Sequence, residues 1–179
     1  MPTPIRPPLV RAATPADAPG IAAVHVQSWR ETYAGLLPAD FLDRMTGAEA
    51  QARREAFWAQ NITAGQDVVL VAEAQGDAEG TVVAFASAGE ARDHPGFDSE
   101  LFTLYALRAA QGNGTGRALL HAVAAALRER GARNMALWVL DVNPTRDWYA
   151  RQGGVEGGEK QDGDLRELRM GWSDLGTLR

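Results

Sequence analysis

The run Gln111-Gly112-Asn113-Gly114-Thr115-Gly116-Arg117 carries the clearest chemistry in the chain. It lies between a β-rich stretch ending at Leu107 and an amphipathic stretch opening near Ala118. Glycines at 112, 114 and 116 permit positive φ and leave no Cβ between the main chain and a ligand. The first turn of a helix offers unpaired N–H groups and about half a unit of positive charge. A strand, a glycine turn and a helix start in succession therefore make an anion site, and phosphate is the usual occupant. Arg108 and Arg117 flank the turn and add scope for charge-assisted contacts. No Gly-Lys-Ser/Thr follows, so this is not a P-loop, and Arg117 stands where a dinucleotide fingerprint needs its third glycine. The plainer reading of the same residues is a turn that only packs a helix on a strand.

Neighbouring stretches extend the pattern. Upstream stands Glu100-Leu101-Phe102-Thr103-Leu104-Tyr105-Ala106-Leu107. Downstream stand Leu137-Trp138-Val139-Leu140-Asp141-Val142-Asn143 and Trp148-Tyr149-Ala150-Arg151-Gln152-Gly153. Together these residues resemble the GNAT superfamily of acyl-CoA-dependent N-acyltransferases. Its hallmark, Gln/Arg-x-x-Gly-x-Gly/Ala, is met by Gln111, Gly114 and Gly116. Val10-Arg11-Ala12-Ala13 and a helix holding Trp29 and Tyr33 are similar to the family's opening strand and helix, so the resemblance covers about residues 9–173. There are two departures. One residue fewer than usual separates Asn143 from Tyr149, and Gly154 follows Gly153 where the family usually carries an aromatic.

The resemblance implies transfer of an acetyl group from acetyl-CoA, as co-substrate, to a primary amine on a small molecule or peptide, with no metal. It implies that the diphosphate rests on Gln111, Gly112, Asn113, Gly114, Thr115 and Gly116, with Arg117 beside it. It also implies that the pantetheine arm pairs like a strand with Leu104, Tyr105, Ala106 and Leu107, and that Asn143 and Tyr149 complete the cofactor site. A main-chain N–H near Ala106 is then placed to stabilise an oxyanion. Tyr149 matches the family tyrosine that hydrogen-bonds or protonates the sulfur; an aromatic that packs a helix on the sheet is the alternative.

Amine attack needs a neutral amine. At pH 7.4 a lysine-type amine costs about 4 kcal/mol to neutralise and an α-amine less than about 1 kcal/mol. Glu100 is the candidate base, directly or through water, with Glu73 and Glu31 as weaker alternatives. Trp29 and Tyr33 belong either to the core or to the acceptor cleft. His25, His94 and His121 show no metal-ligand spacing. Two rival readings stand beside the enzyme: a catalytically silent CoA-binding sensor and a nucleotide-binding oxidoreductase.

Composition narrows the field. The chain has no cysteine, which removes disulfides, thiolate metal sites and an acyl-cysteine relay, and so favours direct transfer. A net charge of −5 argues against binding along nucleic-acid phosphates. The apolar runs are strand-sized and Met1–Pro8 holds no apolar segment, so a cytoplasmic protein without a membrane span is expected, as monomer or homodimer.

The elements that must position these residues follow from periodicity. Residues 1–8 read as a leader, 9–173 as one domain and 174–179 as a tail. Thr14-Pro15-Ala16-Asp17 opens a helix, and Thr46-Gly47-Ala48-Glu49 is read as a second capping box. Val68–Ala74 and Thr81–Ala88 read as a hairpin turning at Gly76 and Gly80, and 101–107 as the next strand. A helix to about Arg130, a buried strand over Asn134–Val142, a short helix over Asn143–Gln152 and two last strands complete the order. Consecutive strands argue for antiparallel neighbours, and the strand–helix–strand unit over 101–142 for one parallel crossover. The expected class is therefore α/β: a mixed, mostly antiparallel sheet with helices on both faces. By the resemblance, it splays at the cofactor strand.

Overall fold

The computed structural model describes residues 8–75 and 80–178; residues 1–7 of the leader expected over 1–8, and the turn at Gly76, lie outside them. Strand β1 (Leu9–Ala12) leads through one 3-10 turn into α1 (Ala18–Tyr33). The Asp17 carboxylate accepts the Thr14 N–H at 2.7 Å, the capping expected there, and also binds Arg11 Nη1 at 2.8 Å. Helices α2 (Ala39–Thr46) and α3 (Ala48–Ala64) follow. The second capping box does not form. Thr46 is the last residue of α2, and its buried hydroxyl donates back to the Leu42 carbonyl at 2.7 Å, so Gly47 heads α3 without a side-chain cap.

The remaining elements are β2 (Val68–Glu73), β3 (Val82–Glu90), β4 (Ser99–Ala106), α4 (Thr115–Glu129), β5 (Met135–Leu140), α5 (Thr145–Arg151), β6 (Val155–Asp162) and β7 (Leu165–Trp172). They build one sheet in the order β1-β2-β3-β4-β5-β7-β6. Every neighbouring pair is antiparallel except β4 with β5, the crossover through α4. Among the described residues that parallel pair is joined only at Ser99 with Met135 and Glu100 with Ala136, and Leu101–Ala106 has no strand partner on that side, where the two strands diverge.

Apolar spacing explains the two layers. On α4, Leu119, Leu120, Val123, Ala124 and Leu127 recur at helical period and are buried with Leu101, Leu137, Val139, Tyr149 and Trp172 on one face of the sheet. Ile21 and Val24 of α1 and Trp58 of α3 cover Val71 and Phe85 on the other. The missing aromatic after Gly153 is also accounted for. A Cβ on Gly154 would stand 3.1 Å from the Trp172 ring and 3.0 Å from the Tyr149 carbonyl. Trp172 reaches in from β7, is 1 % exposed, and donates its indole N–H to the Gln152 carbonyl at 3.0 Å. The aromatic filling this space therefore comes from another strand. Beyond β7, Leu175 is buried in the core and its N–H bonds the Arg133 carbonyl at 2.8 Å, so these residues dock against the domain.

Candidate active site

The divergence of β4 from β5 opens a cleft of about 980 Å³, lined at one end by the glycine loop and at the other by α1, α2 and the β6–β7 hairpin. Its volume is that of a site for a cofactor-sized ligand. The Leu107 N–H bonds the Val83 carbonyl at 3.0 Å. Antiparallel alternation then turns the main-chain groups of Tyr105 towards β3 and those of Leu104 and Ala106 into the gap. The Ala106 carbonyl is taken by the Gln111 side-chain amide at 3.0 Å, which ties the loop to the strand. The N–H groups of Leu104 and Ala106 remain directed at the gap.

Gly112 and Gly114 adopt φ of +76° and +88°, and a Cβ at either would project into open space. Their role is thus conformational, since few other residues tolerate such φ values. Gly114 caps α4, while Asn113 Oδ1 accepts the Thr115 hydroxyl at 2.6 Å and its N–H at 3.2 Å. Thr115 is buried, so its side chain faces inward. Among the described residues, the N–H groups of Gly112, Asn113, Gly114, Gly116 and Arg117 have no acceptor. They form a main-chain donor cluster at the positive end of a 15-residue helix. Gly116 lies against the Trp148 ring, 3.4 Å from where a Cβ would stand, and Arg117 lines the cleft.

Tyr149 projects from α5 towards the sheet, edge-on to Trp148 and Trp172 at 5.2 and 6.1 Å. It is buried, and its hydroxyl makes no hydrogen bond among the described residues although it lines the cleft. Burial, with Tyr105 and Tyr33 nearby, holds that hydroxyl well above the usual phenol value. It therefore stays protonated near neutral pH. Asn143 is committed within the protein: its Nδ2 donates to the Tyr33 hydroxyl at 2.9 Å and its Oδ1 accepts the Thr145 N–H at 2.9 Å. Tyr33 is buried, and Trp29 lies 4.8 Å from it and donates to the Tyr105 hydroxyl at 3.1 Å. Both residues line the cleft, and Tyr33 also packs in a small core with Leu37, Leu42 and Leu140.

Glu100, at the start of the gap, is 9 % exposed and lines the cleft. Its Oε2 accepts the Arg92 N–H at 3.1 Å and its Oε1 lies 3.3 Å from His94 Nε2. The other two carboxylates are engaged elsewhere. Glu31 accepts the Arg108 N–H at 2.7 Å, and Glu73 binds Arg11 Nε at 2.6 Å at the far end of β2.

Sequence reasoning missed Glu167 and Lys160. Glu167 pairs with Leu140 across β5 and β7, and both line the cleft with Leu104. After burial, the Glu167 charge helps raise the Tyr33 and Tyr105 hydroxyls. Lys160 lies 3.4 Å from Glu167 and 4.6 Å over the Trp138 ring. The cross-strand charge pair Lys160–Glu167 was the available signal, but it requires the β6–β7 register.

Known proteins agree with this architecture. The model of the Acetyltransferase (GNAT) family matches residues 27–154. The uncharacterized N-acetyltransferase YuaI of Bacillus subtilis is 35% identical over 175 residues, covering 95% of each chain. A probable N-acetyltransferase of Mycobacterium tuberculosis is 30% identical over 144 residues, 80% of this chain and 77% of its own. Among solved structures, the PaiA N-acetyltransferase of Thermoplasma acidophilum in complex with coenzyme A superposes with a TM-score of 0.71 at 18% identity, over 93% of this chain and 100% of its own. The yncA protein of Salmonella typhimurium with its cofactor acetyl-CoA gives 0.67 at 22% identity, over 95% of each. Among the described residues no helix is long and apolar enough to cross a membrane. A parallel strand pair that parts after Glu100, a glycine loop heading α4 and this extent of likeness lead to one conclusion: the chain belongs to the GNAT family of acetyltransferases.

Proposed function

We propose that the protein transfers an acetyl group from acetyl-CoA to a primary amine, in one step, within the cleft between β4 and β5. The observation that carries this reading is the gap itself: free N–H groups on Leu104 and Ala106 continue into the donor cluster at Gly112–Arg117. That continuity fits an extended amide-bearing arm ending in a diphosphate. When bound, acetyl-CoA supplies a thioester carbon open to attack and a thiolate as leaving group.

The chain's residues divide the rest. Gly112–Arg117 hold the diphosphate through main-chain donors. At about 3.3 Å per residue, Leu104 lies roughly 13 Å along the strand from Glu100, and Ala106 roughly 20 Å. Leu104 N–H is therefore the better oxyanion donor if Glu100 takes the amine proton, with water completing the route. Glu167 also lines the cleft but carries Lys160 as a counter-charge, which leaves it to orient the acceptor. Tyr149 donates a hydrogen bond to the departing sulfur. Full proton transfer from it is uphill by more than about 2 kcal/mol, the ordinary phenol–thiol difference at about 1.4 kcal/mol per unit, because its pKa is raised further.

The half-buried rings of Trp29, Phe41 and Trp138 wall the acceptor end and favour an amine with an apolar body. The test combines thermal shift with thiol release over an amine panel. Acetyl-CoA and CoA at 100 times Kd each add about 2.7 kcal/mol of stability while NADH adds none. Glu100→Gln keeps that shift and lowers kcat by about 10² or more. CoA binding with no turnover of any amine would instead identify a sensor.

A further inference from the structure

We infer that His94 is a positioning residue that works through Glu100, holding on its Nε2 the proton that Glu100 removes from the acceptor amine. This rests on the reading of Glu100 as the base. The loop after β3 folds inward, so that His94 has no exposed side-chain surface. The imidazole stacks on Trp138 at 4.9 Å and meets Phe97 edge-on at 6.3 Å. Neither ring nitrogen has a hydrogen-bond partner among the described residues. A buried imidazole left unpaired is costly and calls for an explanation. Nε2 is 3.3 Å from Glu100 Oε1, close enough for an ion pair but not aligned as a resting hydrogen bond.

The order from the cleft is therefore substrate, Glu100, His94. Glu100 lines the cleft and His94 sits behind it. The charged groups acting on the imidazole are Glu100 from β4, Arg169 from β7 and Asp93 from its own loop. Arg92 lies on that loop as well, and Lys160 of β6 on the Trp138 ring. Burial is the strongest influence and holds the ring below its usual value, so it is neutral near pH 7 and able to accept a proton.

In the step, the amine nitrogen bonds to the acyl carbon as one N–H bond breaks. Its proton passes through water to Glu100, and an O–H bond forms. Glu100 then gives a proton from Oε1 to Nε2, leaving a carboxylate against an imidazolium. The proton returns by the same route to cleft water or to the released thiolate. No electrons are exchanged with any other group. The gain is a second resting place for the proton: the imidazolium formed behind Glu100 lies 3.3 Å from the carboxylate that pairs with it, which frees Glu100 to accept again.

The experiment follows the three histidines by imidazole NMR in the ligand-free protein, and compares His94→Gln and His94→Ala in turnover. In Glu100→Gln the His94 titration moves to lower pH, because the carboxylate that favoured the imidazolium is gone. His94→Gln lowers kcat about tenfold for lysine-type amines and less for α-amines, and the acid limb of its pH profile moves from its wild-type position. His94→Ala recovers turnover with added imidazole. An unchanged His94 titration in Glu100→Gln overturns the inference even if the His94 variants misfold. So does an equal loss for all amines with an unmoved pH profile and no imidazole rescue, the result of a packing role. Wild-type turnover by Glu100→Gln would strike the base reading instead, whatever the NMR shows.

Discussion

The two ends of the cleft are built from different parts of the chain. At the end proposed for the cofactor, the groups on offer are main-chain N–H donors of Leu104, Ala106 and Gly112–Arg117, held by strand register, two positive-φ glycines and a helix start. At the other end the walls are side chains from distant segments: Trp29 and Tyr33 from α1, Phe41 from α2, Glu100 from β4 and Glu167 from β7. The first end is specified by backbone shape and tolerates most side-chain changes that keep it. The second is specified by side-chain identity, and on the proposed function single substitutions there would alter which acceptor fits.

Substitutions can test that division. Gly114→Val forces a β-branched residue to φ +88°. A left-handed residue costs about 1–2 kcal/mol, so acetyl-CoA affinity should fall by about 5–30-fold, while acceptor KM at saturating acetyl-CoA holds. Equal damage to both constants would mean that the ends are not separable. Tyr149→Phe removes one hydroxyl that has no partner among the described residues, so melting should be unchanged. Its kcat should drop by about tenfold, the loss of one hydrogen bond to a charged atom. Asn143→Ala bears on both ends. Its side chain orients Tyr33 and caps α5, so acceptor KM should rise about fivefold with CoA affinity retained. A selective loss of CoA affinity would return Asn143 to the cofactor site, as the family resemblance implied.

The smallest effect concerns stability. His25 stacks on Tyr105 at 4.8 Å, and burial pushes its pKa down to about 3. The folded value is below the unfolded one near about 6.5, so the unfolded chain takes up the proton first as pH falls. Stability is therefore complete above about pH 6.5 and declines by up to about 1.4 kcal/mol per unit towards pH 3. His25→Phe should flatten the melting-temperature profile over that window. A profile as steep as wild type would assign the slope to His94, which burial also depresses.

The contrast also explains what the sequence made readable. The glycine loop, α4 and β5 are legible because each is a local pattern: glycine spacing, a 3.6 period, a continuous apolar run. The parallel crossover followed from the same segment. The acceptor end was only partly legible, because its contacts span the chain; Asn143 and Tyr33 are 110 residues apart. Strand β6 is mostly exposed and carries no apolar alternation, so nothing local fixed the register that brings Lys160 and Glu167 together. His94 carried no ligand spacing in the sequence, and the packing of Trp138 and Phe97 around it is what makes it a buried group. Thr46 shows the reverse error. A Thr-x-x-Glu pattern reads as a helix start, but here the threonine ends the previous helix.

The brevity of the β4–β5 ladder has a mechanical consequence. Only two residue pairs stitch the left and right portions of the sheet across its midline, a weak point where most sheets are strongest. An extended ligand lying along β4 would act as a replacement strand, adding cross-links that the chain leaves unmade. Substrate binding and rigidity of the protein's own interior would then be one event, with the tightest coupling at the centre of the molecule and the least at its rims.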